Sequence, residues 1–583
     1  MKQRAIGQAS RSKHLRIAHL SLVIVGVFLC TSAWSQVPAA PARADAELIR
    51  QQERERALRE QSETRPDVHL RTPEGAVAER LPADERPCFR IDRIELRDDP
   101  ERRFAWSLAA ASPSDDPALG RCLGAQGINL VMRRIQNAIV AHGYVTTRVL
   151  AQPQDLTGGA LALTIIPGRI RAVRLAADSD PRSALWNAMP ARPGDLLNLR
   201  DIEQGLEDLR RLPTVETDIR IVPAEGPGAA PGESDLVVRW RQVSRWRANL
   251  GVDDSGTRAT GKDQGSATLS LDHPLGLNDL FYLTWNQNLV GDAAAPHGTH
   301  GHVVHYSLPF GYWQLALTGS RNSYYQSVAG INQTYRYAGR SSNAEIKLSR
   351  VVFRDDVRRL TASLKAWQRT SNNYIDDTEV QVQRRRMGGW EAGLEDHETL
   401  GGIGFDAALA YRQGTGAFNS LPAPEENFGE GTARPRFFTA SAQLAVPFSI
   451  AAQAMRYSAA WRGQWNRTPL VPQDRFILGG RFSIRGYDGE NILSAERGWL
   501  IRNDLGLVFP EARQELYVGL DHGEVGGPSA AALVANRLTG IVAGWRGAFK
   551  DVSFDVFVGQ PVGKPPRFDT PARTTGFSVS WSI

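Results

Sequence analysis

The feature that most constrains the fold is a two-residue alternation of apolar and polar side chains that begins near Arg245 and continues to the end of the chain. Successive side chains of a β-strand point to opposite faces, so the alternation predicts strands with one apolar and one polar face. Sixteen candidate strands follow Arg245, and the clearest lie at 267–272, 281–286, 457–462 and 577–583. A membrane barrel with a wet interior turns its polar face inward, whereas a soluble β-sandwich turns it outward.

The lengths of the connections favour the barrel. Short connections at 274–279, 309–311, 353–356 and 549–551 alternate with long ones at 417–434, 470–498 and 524–536. Outer-membrane barrels have this asymmetry, with short turns in the periplasm and long loops outside the cell. The 14 tryptophans agree with a barrel, because such proteins concentrate aromatic residues at both membrane interfaces.

The amino-terminal residues indicate an exported protein. Basic residues within 2–16 precede an apolar run at 20–30 and a small residue, Ser35, which together predict a signal peptide over 1–35. Beyond it, no apolar run approaches the roughly 20 residues of a membrane-spanning helix. Cys88 and Cys122 are the cysteines of the mature chain, and an even pair in an exported protein predicts a disulfide.

Two polar segments follow the signal peptide. In the region 36–63, residues 45–63 predict a helix, because they are strong helix formers without glycine or proline. This helix is polar nearly all round and cannot bury a face in a core, so it is either a solvated arm or an occupant of a water-filled lumen. The polar, proline-containing residues 64–87 predict a linker.

Two small α/β domains are predicted at 88–168 and 169–243. The first combines strands at 89–96, 144–150 and 160–166 with a helix whose apolar face spans 128–139 and which ends at Gly143. The second combines strands at 170–175, 215–222 and 235–240 with a helix around 202–209 that stops before Pro213. Both therefore repeat one strand–helix–strand–strand pattern.

The long connection at 470–498 contains an unusual motif, Gly-Gly-Arg-Phe-Ser-Ile-Arg-Gly-Tyr at 479–487. Its glycines permit tight backbone turns, and Arg485 is a permanently charged group that the loop can carry into an interior. The motif resembles the V-R-G-F/Y signature of two-partner-secretion transporters of the TpsB type, with Ile484 in place of valine. These outer-membrane pores export large haemolysins and adhesins, and their signature lies at the tip of a loop folded back into the barrel.

A second segment, Gly-Leu-Asp-His-Gly at 519–523, resembles the second barrel motif of this family. The resemblance implies that Asp521 lies on the inner wall and pairs with Arg485, in a transport and loop-locking site that also includes Gly486, Tyr487 and Gly523. Gly519 departs from the family pattern, because an aromatic residue usually stands at its position. An ordinary solvated lumen carboxylate is the alternative interpretation of Asp521.

The resemblance covers nearly the whole mature chain and implies a mixed fold. A transmembrane antiparallel β-barrel of 16 strands at 244–583, with the loop 470–498 folded inward, would follow two POTRA domains and an amino-terminal plug helix. The implied location is the outer membrane of a Gram-negative bacterium, with the POTRA domains in the periplasm. The implied function is the passive export of an unfolded, secreted TpsA-type partner that the POTRA domains capture. The pore is expected to be monomeric, in contact with lipid and lipopolysaccharide.

Other chemistry finds little support in the sequence. Residues 256–263 approach a phosphate-binding loop, but Asp263 stands where that motif needs Ser or Thr, and a strand rather than a helix follows. His297, His300, His302 and His305 are close in sequence, yet His302 and His305 would point to opposite faces of a strand, so no metal site is expected. No catalytic motif is recognisable, so we expect neither enzymatic activity nor a cofactor, and the net charge of +6 suggests no nucleic-acid partner.

Two other functions remain open at the level of sequence. A factor that assembles other barrels into the outer membrane would usually carry more POTRA domains and no plug helix. An autonomous porin would need neither of the two periplasmic domains.

Overall fold

The computed structural model describes residues 40–63, 66–70, 79–290 and 296–583. The predicted signal peptide over 1–35 lies outside the described residues, as do 64–65 and 71–78 of the predicted linker. The described residues include the helices α1 (Ala40–Ser62), α2 (Ala125–Ala141), α3 (Leu185–Ala188) and α4 (Leu199–Arg210). Within these parts of the chain, no helix has both the length and the hydropathy needed to cross a bilayer.

The first α/β domain contains α2, a three-stranded sheet and a separate two-stranded sheet. Its strands are β1 (Phe89–Arg90), β2 (Arg93–Arg97), β3 (Cys122–Leu123), β4 (Arg148–Leu150) and β5 (Ala160–Ile166). β5 pairs in parallel with β2 and antiparallel with β4, while β1 pairs with β3. Ile135 and Ile139 of α2 are fully buried in the core with Leu163, as the 3.6-residue spacing of its apolar residues predicts.

The sequence-based bounds of this domain need three corrections. The strand expected at 89–96 is divided into β1 and β2, because the segment changes its partner at 91–92, where Ile91 N–H donates to the Arg121 carbonyl and Asp92 N–H donates to the Gly159 carbonyl. The strand expected at 144–150 is confined to β4, because residues 144–147 form a turn in which Thr147 N–H donates to Tyr144 C=O at 3.2 Å. Short 3₁₀ helices at Pro100–Arg102 and Ala105–Ala111 were not expected. They fill the connection between β2 and β3, where Phe104 is fully buried against the core.

The second α/β domain has a three-stranded sheet in the order β6-β8-β7. Its strands are β6 (Arg169–Leu175), β7 (Val215–Pro223) and β8 (Glu233–Gln242). β8 pairs in parallel with β6 and antiparallel with β7. Asn198 caps α4 by accepting a hydrogen bond from Arg200 N–H, as Asn commonly does at the start of a helix. The predicted elements of this domain are present, each extended by one to four residues, and the short helix α3 was not predicted.

A closed antiparallel barrel of 16 long strands forms the rest of the chain, which confirms the predicted fold class. The barrel strands before the long inner connection are β9 (Trp246–Asp253), β10 (Gln264–Asp272), β11 (Leu280–Asn288), β12 (Gly298–Phe310), β13 (Trp313–Ala329), β14 (Thr334–Arg354), β15 (Arg358–Ile375), the two-residue extension β16 (Thr378–Glu379), β17 (Arg385–Leu400), β18 (Ile403–Thr415), β19 (Arg436–Ile450) and β20 (Gln453–Asn466). After β20 come the short strands β21 (Phe476–Leu478) and β22 (Leu493–Ala495), then β23 (Arg497–Phe509), β24 (Gln514–Gly526), β25 (Arg537–Phe549), β26 (Val552–Pro561) and β27 (Thr574–Ser582). β27 pairs with β9 and closes the barrel.

The alternation has the polarity expected of a membrane barrel. Thr268 and Thr284 face the interior, where their hydroxyls are 2.9 Å apart. The neighbouring Leu269 and Leu283 are 49 % and 42 % exposed on the outer surface. Apolar side chains on the outside of a closed sheet are stable in lipid and not in water, so the soluble-sandwich alternative does not fit this arrangement.

The short turns lie at the end of the barrel that contacts the second α/β domain. His273, in the turn between β10 and β11, is 3.0 Å from the Arg182 carbonyl through Nε2. In the turn between β12 and β13, Gly311 N–H donates to the Asn187 carbonyl at 2.7 Å. The α/β domains and the short turns therefore share one side of the membrane, opposite the long loops.

Helix α1 lies inside the barrel rather than in solvent. Arg54 Nε donates to Ser255 Oγ at 2.9 Å, and Glu47 accepts a hydrogen bond from Thr260 Oγ1 at 3.0 Å. The described helix starts at Ala40, five residues before the predicted start. A helix that is polar on all sides fits this place, since the lumen wall around it is polar.

Candidate functional site

The connection between β20 and β23 folds back into the barrel and lies against the inner wall. β21 and β22 form a small antiparallel hairpin within it, with Leu478 opposite Leu493. Ile484 and Tyr487 are buried with this hairpin against Leu500, Val525 and Leu538 of the wall. The connection spans 467–496, slightly displaced from the predicted 470–498 because β23 already starts at Arg497. Apolar contact with β23–β25 thus holds the loop inside.

Two glycines of the site allow close approach of backbone to wall. Gly486 has a φ of +110°, and a Cβ there would lie 2.7 Å from the Gln560 carbonyl oxygen of β26. A Cβ at Gly523 would lie 2.7 Å from a methyl carbon of Leu478 and 2.9 Å from the Trp499 carbonyl oxygen. Any larger residue at either position would push the loop off the wall, since such distances are well inside van der Waals contact.

Arg485 is bound on the inner wall by Asp521 of β24. Its Nε donates to Asp521 Oδ2 and one terminal nitrogen donates to Oδ1, each at 2.8 Å, while the backbone N–H of Arg485 donates to Oδ2 at 2.9 Å. Arg485 is 3 % exposed and Asp521 is fully buried. Parallel charge-assisted hydrogen bonds of this kind are among the strongest polar contacts in proteins.

A second carboxylate, which the sequence analysis missed, also binds Arg485. Asp504 Oδ1 accepts a hydrogen bond from a terminal nitrogen of Arg485 at 2.5 Å, and its Oδ2 accepts one from Arg546 at 3.0 Å. Asp504 lies directly opposite Gly519 in the pairing of β23 with β24. A Cβ at Gly519 would lie 2.5 Å from Asp504 Oδ1. The glycine that departs from the family pattern therefore leaves the space that Asp504 occupies.

The signal that could have revealed Asp504 is its place on the polar face of β23, together with the missing side chain across from it.

Aromatic contacts complete the surroundings of Arg485. The ring of Tyr517 lies 5.7 Å from the guanidinium carbon of Arg485 and 4.5 Å from that of Arg546. These are cation–π distances. The Tyr487 hydroxyl donates to the Thr539 carbonyl at 3.2 Å, so this residue anchors the loop one strand farther on.

Helix α1 is connected to the loop as well as to the wall. Arg50 donates to the Gly489 carbonyl of the loop at 2.8 Å. Arg462 of β20 donates to Glu53 of α1 at 2.8 Å and also to the Phe482 carbonyl. Arg462 therefore loses one of its two partners when either element is displaced, and withdrawal of α1 also removes the Arg50 hydrogen bond from the loop.

A polar joint connects the linker, α4 and the periplasmic rim of the barrel. Arg354, at the end of β14, donates to Glu207 at 2.8 and 2.9 Å, to Glu203 at 3.2 Å and to the Val68 carbonyl at 2.9 Å. Burial raises the pKa of the Glu203 carboxyl, although the Leu70 N–H and two arginines oppose that shift. The described residues 66–70 of the predicted linker are therefore fastened to the rim.

The remaining sequence-predicted candidates lie elsewhere. Cys88 and Cys122 form a disulfide in the first α/β domain, far along the chain from the loop. Residues 254–263, which approached a phosphate-binding pattern, connect β9 to β10 and contact α1. His305 faces the lumen and stacks on Tyr282, whereas His300 and His302 are exposed on the other face of β12. The structure does not bring the histidine cluster together.

Comparison with known proteins agrees with this architecture. The family model described as "Haemolysin secretion/activation protein ShlB/FhaC/HecB" matches residues 232–547. A ShlB-type POTRA domain model matches 89–168, and a further POTRA domain model matches 169–223.

Individual proteins are similar to this chain over most of their length. The chain is 37 % identical to the outer membrane transporter CdiB-2 of Burkholderia pseudomallei, over 96 % of this chain and 98 % of that one. It is 25 % identical to the hemolysin transporter protein ShlB of Serratia marcescens, over 70 % and 71 % of the two chains. The solved structure of CdiB from Acinetobacter baumannii is similar with a TM-score of 0.82 at 27 % identity, covering 93 % of this chain and 99 % of that one. The chain therefore belongs to the ShlB/FhaC/HecB family of haemolysin secretion and activation proteins.

Proposed function

We propose that the chain is a two-partner-secretion pore that exports a large, unfolded partner protein of the haemolysin, adhesin or contact-dependent toxin type from the periplasm to the cell surface. The observation that carries this proposal is a barrel whose lumen is occupied by α1 and by the loop 467–496. Hydrogen bonds, ion pairs and apolar packing hold both elements, so they can leave the lumen without breaking a covalent bond. The relatives named above are outer-membrane and hemolysin transporters. The chain is accordingly an outer-membrane protein of a Gram-negative bacterium, with its POTRA domains in the periplasm.

We further propose the following division of the chain. A signal peptide occupies 1–35, the plug-helix region 36–63, a linker 64–87, POTRA 1 88–168, POTRA 2 169–243 and the barrel 244–583. The family-model matches at 89–168 and 169–223 support the POTRA boundaries. β8 supports an end of POTRA 2 near 243, because it pairs with β6 and β7 and not with a barrel strand.

The POTRA domains would capture the partner by adding one of its extended segments to a free sheet edge. β7 is the best candidate, because it is a nine-residue edge strand that pairs only with β8 among the described strands. α1 and the inner loop would then move aside, and the partner would pass through the polar lumen. Folding of the partner outside the cell would prevent its return, so the transport step would need no nucleotide.

The pore would act without catalysis or a cofactor and as a monomer. The pairing of β27 with β9 supports the monomer, since one chain closes the barrel by itself. The outward leucines and tryptophans support direct contact with outer-membrane lipid and lipopolysaccharide. We propose no nucleic-acid partner, because the lumen arginines at the loop site are matched by Asp504, Asp521 and Glu515.

A deletion strain tests this function. The gene next to the one encoding this chain is expected to encode a large exported protein, and deletion of the transporter should trap that protein in the periplasm. Levels of other outer-membrane proteins should not change in the deletion strain, and a general loss of them would instead indicate a barrel-assembly factor. Normal surface display of the partner together with reduced uptake of small solutes would indicate a porin.

A further inference from the structure

Two residues that follow the plug helix meet a histidine at the periplasmic end of the barrel. Asp67 and His69 lie in the fastened segment 66–70, and His397 lies near the end of β17, next to the short turn before β18. Nε2 of His69 is 2.7 Å from Asp67 Oδ1, and Nε2 of His397 is 3.3 Å from Asp67 Oδ2. One ligand atom from each of the three residues can be chosen so that all lie within 4.8 Å of one another.

The surroundings of this cluster resemble those of a metal centre. The contact of His69 with Asp67 lacks hydrogen-bond geometry, and both ring nitrogens of His69 are shielded from solvent without a hydrogen-bond partner among the described residues. Nδ1 of His397 is 2.7 Å from an oxygen of Asp406 on β18. A metal-binding histidine usually donates its second ring nitrogen to a carboxylate in this way, which fixes the ring so that the other nitrogen faces the metal.

We propose that Asp67, His69 and His397 bind a divalent transition metal ion of the Zn²⁺ class. Zn²⁺ accepts histidine nitrogens and aspartate oxygens as ligands, and the two imidazoles favour it over the harder cations Mg²⁺ and Ca²⁺. With metal–ligand bonds of about 2.0–2.2 Å, the ligand atoms of a tetrahedral site lie about 3.3–3.6 Å apart. The observed contacts need only small side-chain movements to reach this spacing, and a water molecule would supply the fourth ligand.

The bound ion would act as a clip between the segment that follows α1 and the barrel rim. Val68 N–H and Leu70 N–H already donate to Glu207 and Glu203 of α4, at 3.1 and 2.7 Å. The metal would add a bond from this segment to β17, so that α1 could not leave the lumen without first releasing the ion. This consequence rests on the proposed plug function, whereas the metal site itself does not.

Zn²⁺ binding to the purified mature protein tests the site. Untagged protein in detergent, stripped with EDTA, should bind one equivalent of Zn²⁺ in isothermal titration calorimetry. His69→Ala and His397→Ala should each weaken binding at least tenfold, and Asp406→Ala should weaken it about 10- to 100-fold. The control His142→Ala, in the first POTRA domain, should bind as the wild type does. Equal binding by wild type and His69→Ala, or no binding by either, would overturn the proposal.

Planar-bilayer recording separates the site from the clip. Micromolar Zn²⁺ on the POTRA side should reduce the frequency of large channel openings in the wild type and leave it unchanged in His397→Ala. Unchanged openings in a wild type that binds Zn²⁺ would overturn the clip while leaving the metal site standing. Because the calorimetry does not depend on transport, failure of the proposed secretion function would not alter its result.

Discussion

Arg485 and Asp521 form a bidentate pair in which both hydrogen bonds measure 2.8 Å and neither side chain is appreciably exposed. A wet lumen would make such a pair weak. Here Arg485 is 3 % exposed and Asp521 is fully buried, so the pair is shielded from water. Removing one partner of a dry pair costs about 3–5 kcal/mol, and the cost here should lie toward the lower end of that range, because Asp504 or Arg502 stays near the charge that is left. That is enough to release a loop, and too little to unfold a barrel of 16 paired strands.

Arg485→Ala should therefore abolish or strongly reduce secretion of the partner while the amount of heat-modifiable barrel in the membrane stays normal. Arg485→Lys should secrete little more of the partner than Arg485→Ala does, because an ammonium group cannot bind both carboxylates through parallel hydrogen bonds. The double variant Arg485→Asp with Asp521→Arg should also secrete little of the partner, since the new aspartate at 485 would face the like charge of Asp504. Surface display of the partner, measured against barrel abundance, checks all three, and full display by Arg485→Ala would refute the loop lock.

Gly519 offers a test of the second carboxylate. Gly519→Phe restores the aromatic residue that the family usually has, but it should reduce secretion at least tenfold. The ring would meet Asp504 Oδ1 and a Val542 methyl carbon, which would lie 2.5 and 2.8 Å from a Cβ at this position. The double variant Gly519→Phe with Asp504→Gly removes the collision with Asp504, leaves the one with Val542, and should recover part of the activity. No difference between the single and double variants would show that Asp504 does not occupy this space.

The plug helix is held in the lumen by Glu53 among other residues, and its removal should open the pore. Deletion of Ala46–Gln61 should raise single-channel conductance without preventing membrane insertion. Glu53→Ala should raise the frequency of opening, because it removes the bond to Arg462. Glu60→Ala is the matched control, since Glu60 bonds only to the exposed Arg56 of the same helix among the described contacts. An equal change of opening frequency in the two alanine variants would show that Glu53 does not help to hold α1 in the lumen.

The disulfide between Cys88 and Cys122 should stabilise POTRA 1. The two cysteines are 34 positions apart in the sequence, and closing a loop of this size contributes about 3–4 kcal/mol to the free energy of unfolding. Mass spectrometry of non-reduced mature protein should detect one linked peptide pair. The double variant Cys88→Ser with Cys122→Ser should make this domain more sensitive to limited proteolysis, with the barrel unaffected. Two alkylatable thiols in the wild type would contradict the disulfide.

Patterns local to the chain predicted more of this structure than contacts between distant segments. The alternation at 267–272 and 281–286 predicted the strands and the side chains that share a face, because side-chain direction in a strand follows directly from position. The alternation of short and long connections then predicted that the polar face points inward. The part played by Asp504 could not be predicted in that way. It depends on the register between β23 and β24, which sets Asp504 opposite Gly519. His69 and His397 illustrate the same limit, since only the folded rim brings them together.

Transport by purified components tests the central claim most directly. The chain is reconstituted into liposomes with its POTRA domains outward, and the unfolded partner is added outside without nucleotide. Protease is then added, and the partner fragment protected inside the vesicles is measured. We predict protected partner with the wild type and little with Arg485→Ala at equal barrel content. Protection no greater than in protein-free liposomes would contradict the account.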